Sequence, residues 1–197
     1  MPETTRTFVA VEIPAPQGEK LTRLQQQLAP RIPTARMTSS PPFHLTLAFL
    51  GDVPDTDLNL VCRAVAEACG LFSSFELWLE GVGAFPSPTR PRVIWAGLVG
   101  ADGSPLAELH QTIARALKKV GYRPDDKFSP HVTLGRIRQD RRGGRSPDLT
   151  AIFQPFQNWS GGTFRVSEIV TFSSTLTPEG PIYAPLGRAP LGGQKNH

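Results

Sequence analysis

Two imidazoles and two hydroxyls stand in matching contexts, His44 and Thr46 in HLTLAFLG and His131 and Thr133 in HVTLGRI. Each pair follows a proline-containing approach, PPF before His44 and FSP before His131. A strand alternates its side chains between faces, so each histidine shares a face with its threonine while Leu45, Leu47, Val132 and Leu134 point the other way. Such a face suits phosphodiester chemistry. Near neutral pH one imidazole can accept a proton from water while the other, protonated, donates to a leaving oxygen. The threonine hydroxyls can hydrogen-bond nonbridging phosphate oxygens. Acid–base groups positioned in this way contribute roughly 100- to 10,000-fold each in rate. Metal ligation is the rival use of two histidines. Zinc takes three or four protein ligands, and neither motif carries a neighbouring Cys, Asp or Glu at ligand spacing, so neither a metal nor another cofactor is expected.

The elements that must carry these residues are readable from period and punctuation. Alternation in TFVAVEI, residues 7–13, predicts a strand, and Leu21, Leu24 and Leu28 are spaced as on a helix that Pro30 and Pro33 stop. After the first motif strand, a helix is expected with Asp55 as N-cap and Gly70 as its end. SFELWLEGVGAF and RPRVIWAGLV read as consecutive strands across a Gly/Pro-rich connection. In the second half Ser104 is placed to cap a helix with Pro105 at its first position and Gly121 at its end. Beyond the second motif a short helix is expected near Asp148–Phe156. A single strand TFRVSEIVTFSS should come next, then a short strand from Pro181 to Leu186 and a loose tail from Arg188.

The two halves share an order of helix, proline-containing loop, His-x-Thr strand and helix, the pattern of an internal duplication. If the resulting lobes are related by a pseudo-two-fold axis, both His/Thr pairs converge on one groove.

The bulk numbers fit an ordinary folded enzyme. The chain of 197 residues is 39% hydrophobic and 19% charged, which excludes wholesale disorder and fits one compact unit. Its net charge of +4 and pI of about 9.4 favour an anionic partner only weakly. Phe8–Ile13 is too short for a membrane span, and no later segment approaches about 18 uninterrupted apolar residues, so a cytoplasmic protein without membrane contact is expected. Cys62 and Cys69 lie seven positions apart on an expected helix, about 10 Å along its axis, too far for a disulfide. No heptads or interaction stripe stand out, and a monomer is expected.

RTFVAVEIP, HLTLAFLGDV, RPRVIWAGL and FSPHVTLGRI together resemble the two-histidine (2H) phosphoesterase superfamily, in its bacterial and archaeal RNA 2′,3′-cyclic phosphodiesterase (2′-5′ RNA ligase) branch. The resemblance runs from residue 6 to about 187. It implies an α+β fold of two antiparallel-sheet lobes with outer helices and a groove between them, a single bilobed domain over 1–187 with a flexible tail, 188–197. It implies metal-free hydrolysis of RNA 2′,3′-cyclic phosphate ends to a 2′-phosphate, with His44 as general acid on the 3′ oxygen and His131 as general base on water. Thr46 and Thr133 would hold the phosphate, and reversible ligation, with a 5′-hydroxyl in place of water, would form or cleave a 2′-5′ bond. The residue types alone leave open which histidine is which.

Arg136 occupies the family position two residues after the HVTL tetrad and is a candidate substrate contact. Strict alternation sends it to the face opposite His131, unless Gly135 permits a bulge. Arg141, Arg142 and Arg145 form a basic loop, either solvated or touching RNA phosphates. Phe85 is a candidate for lining the groove, Trp95 is expected in the core, Trp159 invites a base-stacking reading, and His110 is expected to be structural. Two other functions are compatible with the motifs: a cyclic phosphodiesterase of small nucleotide metabolites, and a non-catalytic RNA-end binder, which would have no need of an acid–base pair.

Overall fold

Alternating or continuous apolar runs flanked by turn residues form nine strands in the computed structural model, which describes residues 3–38, 42–100, 104–124, 127–138, 147–178 and 180–192. In chain order the elements are β1 (Thr4–Glu12), α1 (Ala15–Leu28), β2 (Ala35–Met37), β3 (His44–Pro54), α2 (Leu58–Cys69), β4 (Phe75–Phe85) and β5 (Val93–Gly100). Then come α3 (Leu106–Lys119), β6 (His131–Ile137), α4 (Thr150–Phe153), β7 (Ser160–Val166), β8 (Glu168–Thr177) and β9 (Gly180–Pro190). The strands form one curled antiparallel sheet in the order β7-β4-β5-β6-β3-β1-β8-β9, with β2 added on β6.

The expected α+β architecture of two antiparallel lobes is present, with the two sheets merged into one. β7-β4-β5-β6 makes one lobe and β3-β1-β8-β9 the other. They meet at β3 and β6, where the pairing is Leu45 with Val132.

The covering helices are exchanged. α1, which precedes β3, packs on β7 and β6 of the other lobe, whereas α3, which precedes β6, packs on β3 and on α2. Each helix buries one stripe: Leu21, Leu24 and Leu28 on α1, and Leu106, Leu109, Ile113 and Leu117 on α3. Full burial of each such side chain is worth roughly 1.5–3 kcal/mol. A second, small cluster of Phe8, Ala10, Val170 and Phe172, with Tyr183 against it, is separate from this main core.

Several boundaries differ from the sequence-based expectation for physical reasons. TFRVSEIVTFSS is two strands, because Phe164 and Val166 face the main core from even positions but Ile169 from an odd one, while Val170 and Phe172 turn to the second cluster. That change of parity falls at Ser167, where the chain passes from one lobe to the other. Asp55 does not cap α2: it lies in a 3-10 turn and accepts a hydrogen bond from Thr5 Oγ1 at 2.8 Å. Ser104 Oγ accepts from the Leu106 amide at 3.4 Å, but α3 begins at Leu106 with Pro105, not Ser104, in the cap position. Residues 188–190 are not loose; Arg188 pairs with Val170 on β8 and bridges Glu168 and Glu12. Residues 193–197, including His197, and the loop with Arg141, Arg142 and Arg145 lie outside the described residues. Cys62 and Cys69 are free, and burial pushes the Cys69 thiol up to about 12. Among the described residues no helix is long and apolar enough to cross a membrane.

Candidate functional site

The two motif strands reach the same cavity by the same local device. On β3, the pairing with β1 passes from Ala10↔Thr46 to Val9↔Ala48, so Leu47 is an extra residue. On β6, the pairing with β5 passes from Trp95↔Thr133 to Ile94↔Gly135, so Leu134 is extra. An extra residue shifts the alternation by one and re-aims the side chains beyond it. The burial sequence is then identical in both strands, half-buried, buried, half-buried, buried, buried, exposed, over His44–Phe49 and His131–Arg136. Phe49 and Arg136 therefore return to the face of the histidines. For Arg136 the bulge does what Gly135 was expected to permit. At Gly135 a Cβ would come within 2.9 Å of Met37 Sδ and 3.0 Å of the Arg36 carbonyl, so a larger residue there would have to push β2 away.

A bulge strands backbone groups, and here they are collected. The Leu134 carbonyl accepts the Thr38 amide at 2.9 Å and the carboxamide nitrogen of Gln25, on α1, at 2.8 Å. Gln25 also reaches Thr38 Oγ1 at 2.9 Å, which satisfies a polar side chain only 7% exposed.

His44, Thr46, His131, Thr133 and Arg136 all line one cavity of about 750 Å³, so the structure brings together every catalytic and substrate-binding candidate taken from the motifs. Each imidazole is held by the carbonyl two residues upstream: His44 Nδ1 lies 3.3 Å from the Pro42 oxygen and His131 Nδ1 2.7 Å from the Ser129 oxygen. A carbonyl can only accept, so Nδ1 carries the proton in each neutral ring and Nε2 is left for chemistry.

The two surroundings are unequal. His44 rests on an aromatic wall, with ring centroids 4.9 Å from Phe8 and 5.0 Å from Tyr183, the latter edge-on. That burial pushes the His44 pKa below the usual 6.5; the Pro42 carbonyl opposes the shift and the charge on His131 adds to it. His131 packs against the Phe85 ring, edge-on at 4.9 Å.

Four further lining residues carry no signature in the sequence. Arg6 and Arg36 join Arg136 to give the cavity three guanidinium groups, and no carboxylate lines it among the described residues. Arg36 donates to the Pro178 carbonyl at 3.3 Å, tying the β8–β9 hairpin tip to β2 across the lobes. Tyr183 is the third: burial raises its phenol, against the pull of Arg136 and Arg6. Phe49 is the fourth.

Other candidates fall elsewhere. Trp95, expected in the core, is half-buried on the face of its partner Thr133, because alternation on β5 turns Ile94, Ala96 and Leu98 to the core instead. Its ring packs on Phe85 at 5.3 Å and over Gly83, where a Cβ would come within 2.2 Å of it. Its indole nitrogen is buried without a hydrogen-bond partner among the described residues. Phe85 touches His131 but is not among the cavity-lining residues. Trp159 packs on the core away from the cavity, and His110 is 4% exposed and stacked on Phe128 at 4.2 Å. Among the described residues no group of three or more His, Cys, Asp or Glu is arranged to hold a metal ion.

The family model for LigT-like phosphoesterases matches two consecutive stretches, residues 11–95 and 99–183, each holding one His-x-Thr strand. The chain belongs to the LigT-like phosphoesterase family. It is 34% identical over 181 residues to an RNA 2′,3′-cyclic phosphodiesterase of Archaeoglobus fulgidus, covering 92% of this chain and 97% of that protein. A protein of the same name from Methanothermobacter thermautotrophicus is 31% identical over 179 residues, 90% of this chain and 94% of that one. Among solved structures, TT0787 of Thermus thermophilus superposes with a TM-score of 0.76 at 26% identity, covering 96% of this chain and 99% of that chain. Apo E. coli LigT gives 0.73 at 26% identity over 96% of this chain and 98% of that one. The LigT-like phosphoesterase membership agrees with the two-histidine resemblance carried by the motifs, and the paired match agrees with the internal duplication.

Proposed function

We propose that this LigT-like phosphoesterase hydrolyses RNA 2′,3′-cyclic phosphate ends to a 2′-phosphate and a free 3′-hydroxyl, without a metal. The observation that carries the reading is the pair of imidazoles in one cationic cavity, each with Nδ1 tied to a carbonyl. The names of the curated relatives support the substrate class.

In the proposed reaction, His131 Nε2 takes a proton from water as the water oxygen bonds to phosphorus. The bond from phosphorus to the ribose 3′ oxygen breaks, and His44 Nε2–H protonates that oxygen. Thr46, Thr133 and Arg136 hold the nonbridging oxygens, where charge accumulates. With a 5′-hydroxyl in place of water the same groups form a 2′-5′ linkage as the 3′ oxygen leaves, and in the breakage of that linkage back to the cyclic phosphate the histidines exchange roles.

The assignment of His44 as acid meets one opposing force, since burial of the ring favours its neutral form. A phosphodiester anion beside the ring favours the charged form and opposes that shift. The acid role of His44 rests on the family resemblance, and the carbonyl contacts serve either role equally.

The test is incubation with a short RNA ending in a 2′,3′-cyclic phosphate, in EDTA, with the product identified by phosphorus NMR. A 2′-phosphate is the expected product. A 3′-phosphate would keep the enzyme class and overturn the orientation of the ribose relative to the two histidines, and binding without turnover would leave only RNA-end recognition.

A further inference from the structure

An aromatic ring stands edge-on to each imidazole, and the two arrangements nearly coincide. Tyr183 lies 5.0 Å from His44 with 84° between ring planes, and Phe85 lies 4.9 Å from His131 at 83°. A ring therefore walls each histidine in the same way, whether or not it carries a hydroxyl. The oxygen of Tyr183 is left to explain.

The two rings differ in where they stand. Tyr183 lines the cavity, and Phe85 is not among its lining residues. Strand β9 brings Tyr183 there by pairing it with Ser174 on β8, and Phe8 meets its ring at 5.1 Å. Contacts with Phe8 and His44 hold the ring, and its hydroxyl makes no hydrogen bond to any of the described residues. A buried tyrosine hydroxyl usually finds a partner. Burial keeps the proton on this one, while the charges of Arg136 and Arg6 act on it from opposite lobes. A neutral donor among guanidinium groups suits an anion.

A second asymmetry complements the first. Arg136 and Phe49 hold equivalent places beyond the two bulges, so the second motif strand brings a charged donor to the cavity and the first does not. The lobe of His44 has its donor on β9 instead.

We infer that the Tyr183 hydroxyl donates a hydrogen bond to one nonbridging oxygen of the cyclic phosphate, as a catalytic donor from the lobe of His44 that complements Arg136 from the other lobe. The inference rests on the cyclic-phosphodiesterase reading and adds a residue to it. The nonbridging oxygens gain charge as water bonds to phosphorus, so this hydrogen bond strengthens toward the transition state. The phenol keeps its proton throughout, and the proton given to the 3′ oxygen still comes from His44.

The experiment compares the parent protein with Tyr183→Phe, which keeps the ring against His44 and Phe8. The substrates are a short RNA ending in a 2′,3′-cyclic phosphate and the two diastereomers of its cyclic phosphorothioate, each with sulfur in place of one nonbridging oxygen. Sulfur accepts hydrogen bonds weakly. On the oxygen substrate Tyr183→Phe is expected to lower kcat roughly 100-fold, as removal of one such donor does, with a smaller change in KM. On the diastereomer whose sulfur already breaks the contact that loss should largely vanish, and on the other it should persist. The alkaline limb of kcat/KM should stay in place, since the wall beside His44 is intact. Equal losses on all three substrates, no loss on any, or a displaced limb overturns the inference while leaving the phosphodiesterase reading intact. A parent that opens none of the three overturns both.

Discussion

Leu45 pairs with Val132, and each of them is the residue between the histidine and the threonine of its own motif. An antiparallel register through that pair sets His44 across from Thr133 and Thr46 across from His131. The local two-fold of that pairing therefore runs between two side chains that are 0% and 1% exposed, and the four functional groups surround it on the other face. The seam between the lobes and the centre of the cavity are one place seen from opposite sides of the sheet.

Replacing either histidine should stop the chemistry and spare the fold. For His44→Ala and His131→Ala we expect losses of roughly 100- to 10,000-fold each in kcat on a 2′,3′-cyclic end. The double variant should be little worse than the single ones, since the two groups act in one step. Rates of folded variants, checked by circular dichroism, decide the matter.

The depressed pKa of His44 has two opposite readouts. In the folded protein the ring protonates below 6.5, whereas the unfolded chain does so near 6.5. Between those values the unfolded state binds more protons, so stability is lost as pH falls through 6.5 and is regained as pH rises. Tm followed against pH should show this dependence in the parent and lose it in His44→Gln. Catalysis runs the other way, because an acid must hold its proton. The alkaline limb of kcat/KM should lie below 6.5, and that of kcat should lie higher once an anionic substrate sits beside the ring.

Gln25 should act through the bulge. Gln25→Leu removes one of the groups that satisfy the Leu134 carbonyl and should cost about 1 kcal/mol of stability, read from urea unfolding. It should also raise KM by loosening the strand that aims Arg136. In an Arg136→Ala background the same change should still lower stability but leave KM where it was.

The three cavity arginines should set the salt response. Removing Arg6 or Arg136 should reduce the slope of log affinity against log salt by roughly 0.7, as expected for one fewer phosphate contact to a single strand. Titrations of an uncleavable RNA end at several salt concentrations measure it.

The sequence made legible whatever obeys a period. The motif strands, the leucine stripes of α1 and α3 and the catalytic candidates all come from alternation or helical spacing. The hidden features depended on departures from that period. Arg136 was recoverable because Gly135 marks a place where a strand can bulge, and the same slip on β3 was silent because Ala48 stands where the glycine would be. Counting by twos then sends Phe49 to the wrong face. Arg6, Arg36 and Tyr183 come from strands paired at long range, and no local rule places them beside a histidine. Ser167, a single residue, looked like the interior of one strand because the residues on both sides of it favour extended backbone.

The exchange of covering helices has a meaning beyond packing. The leucine stripe of α1 is buried by strands of the later half, and α3 lies on β3 of the earlier one. Neither repeat can dry its own sheet, so a cut in the connection between β4 and β5 would yield two pieces that are each insoluble alone and competent together. A chain made of one such repeat could have folded only by trading helices with a twin, and its catalytic centre would have formed on the axis between the two copies, one histidine from each. Fusion of the twins would then have freed the equivalent positions to diverge, which is the freedom that Phe49 and Arg136 record.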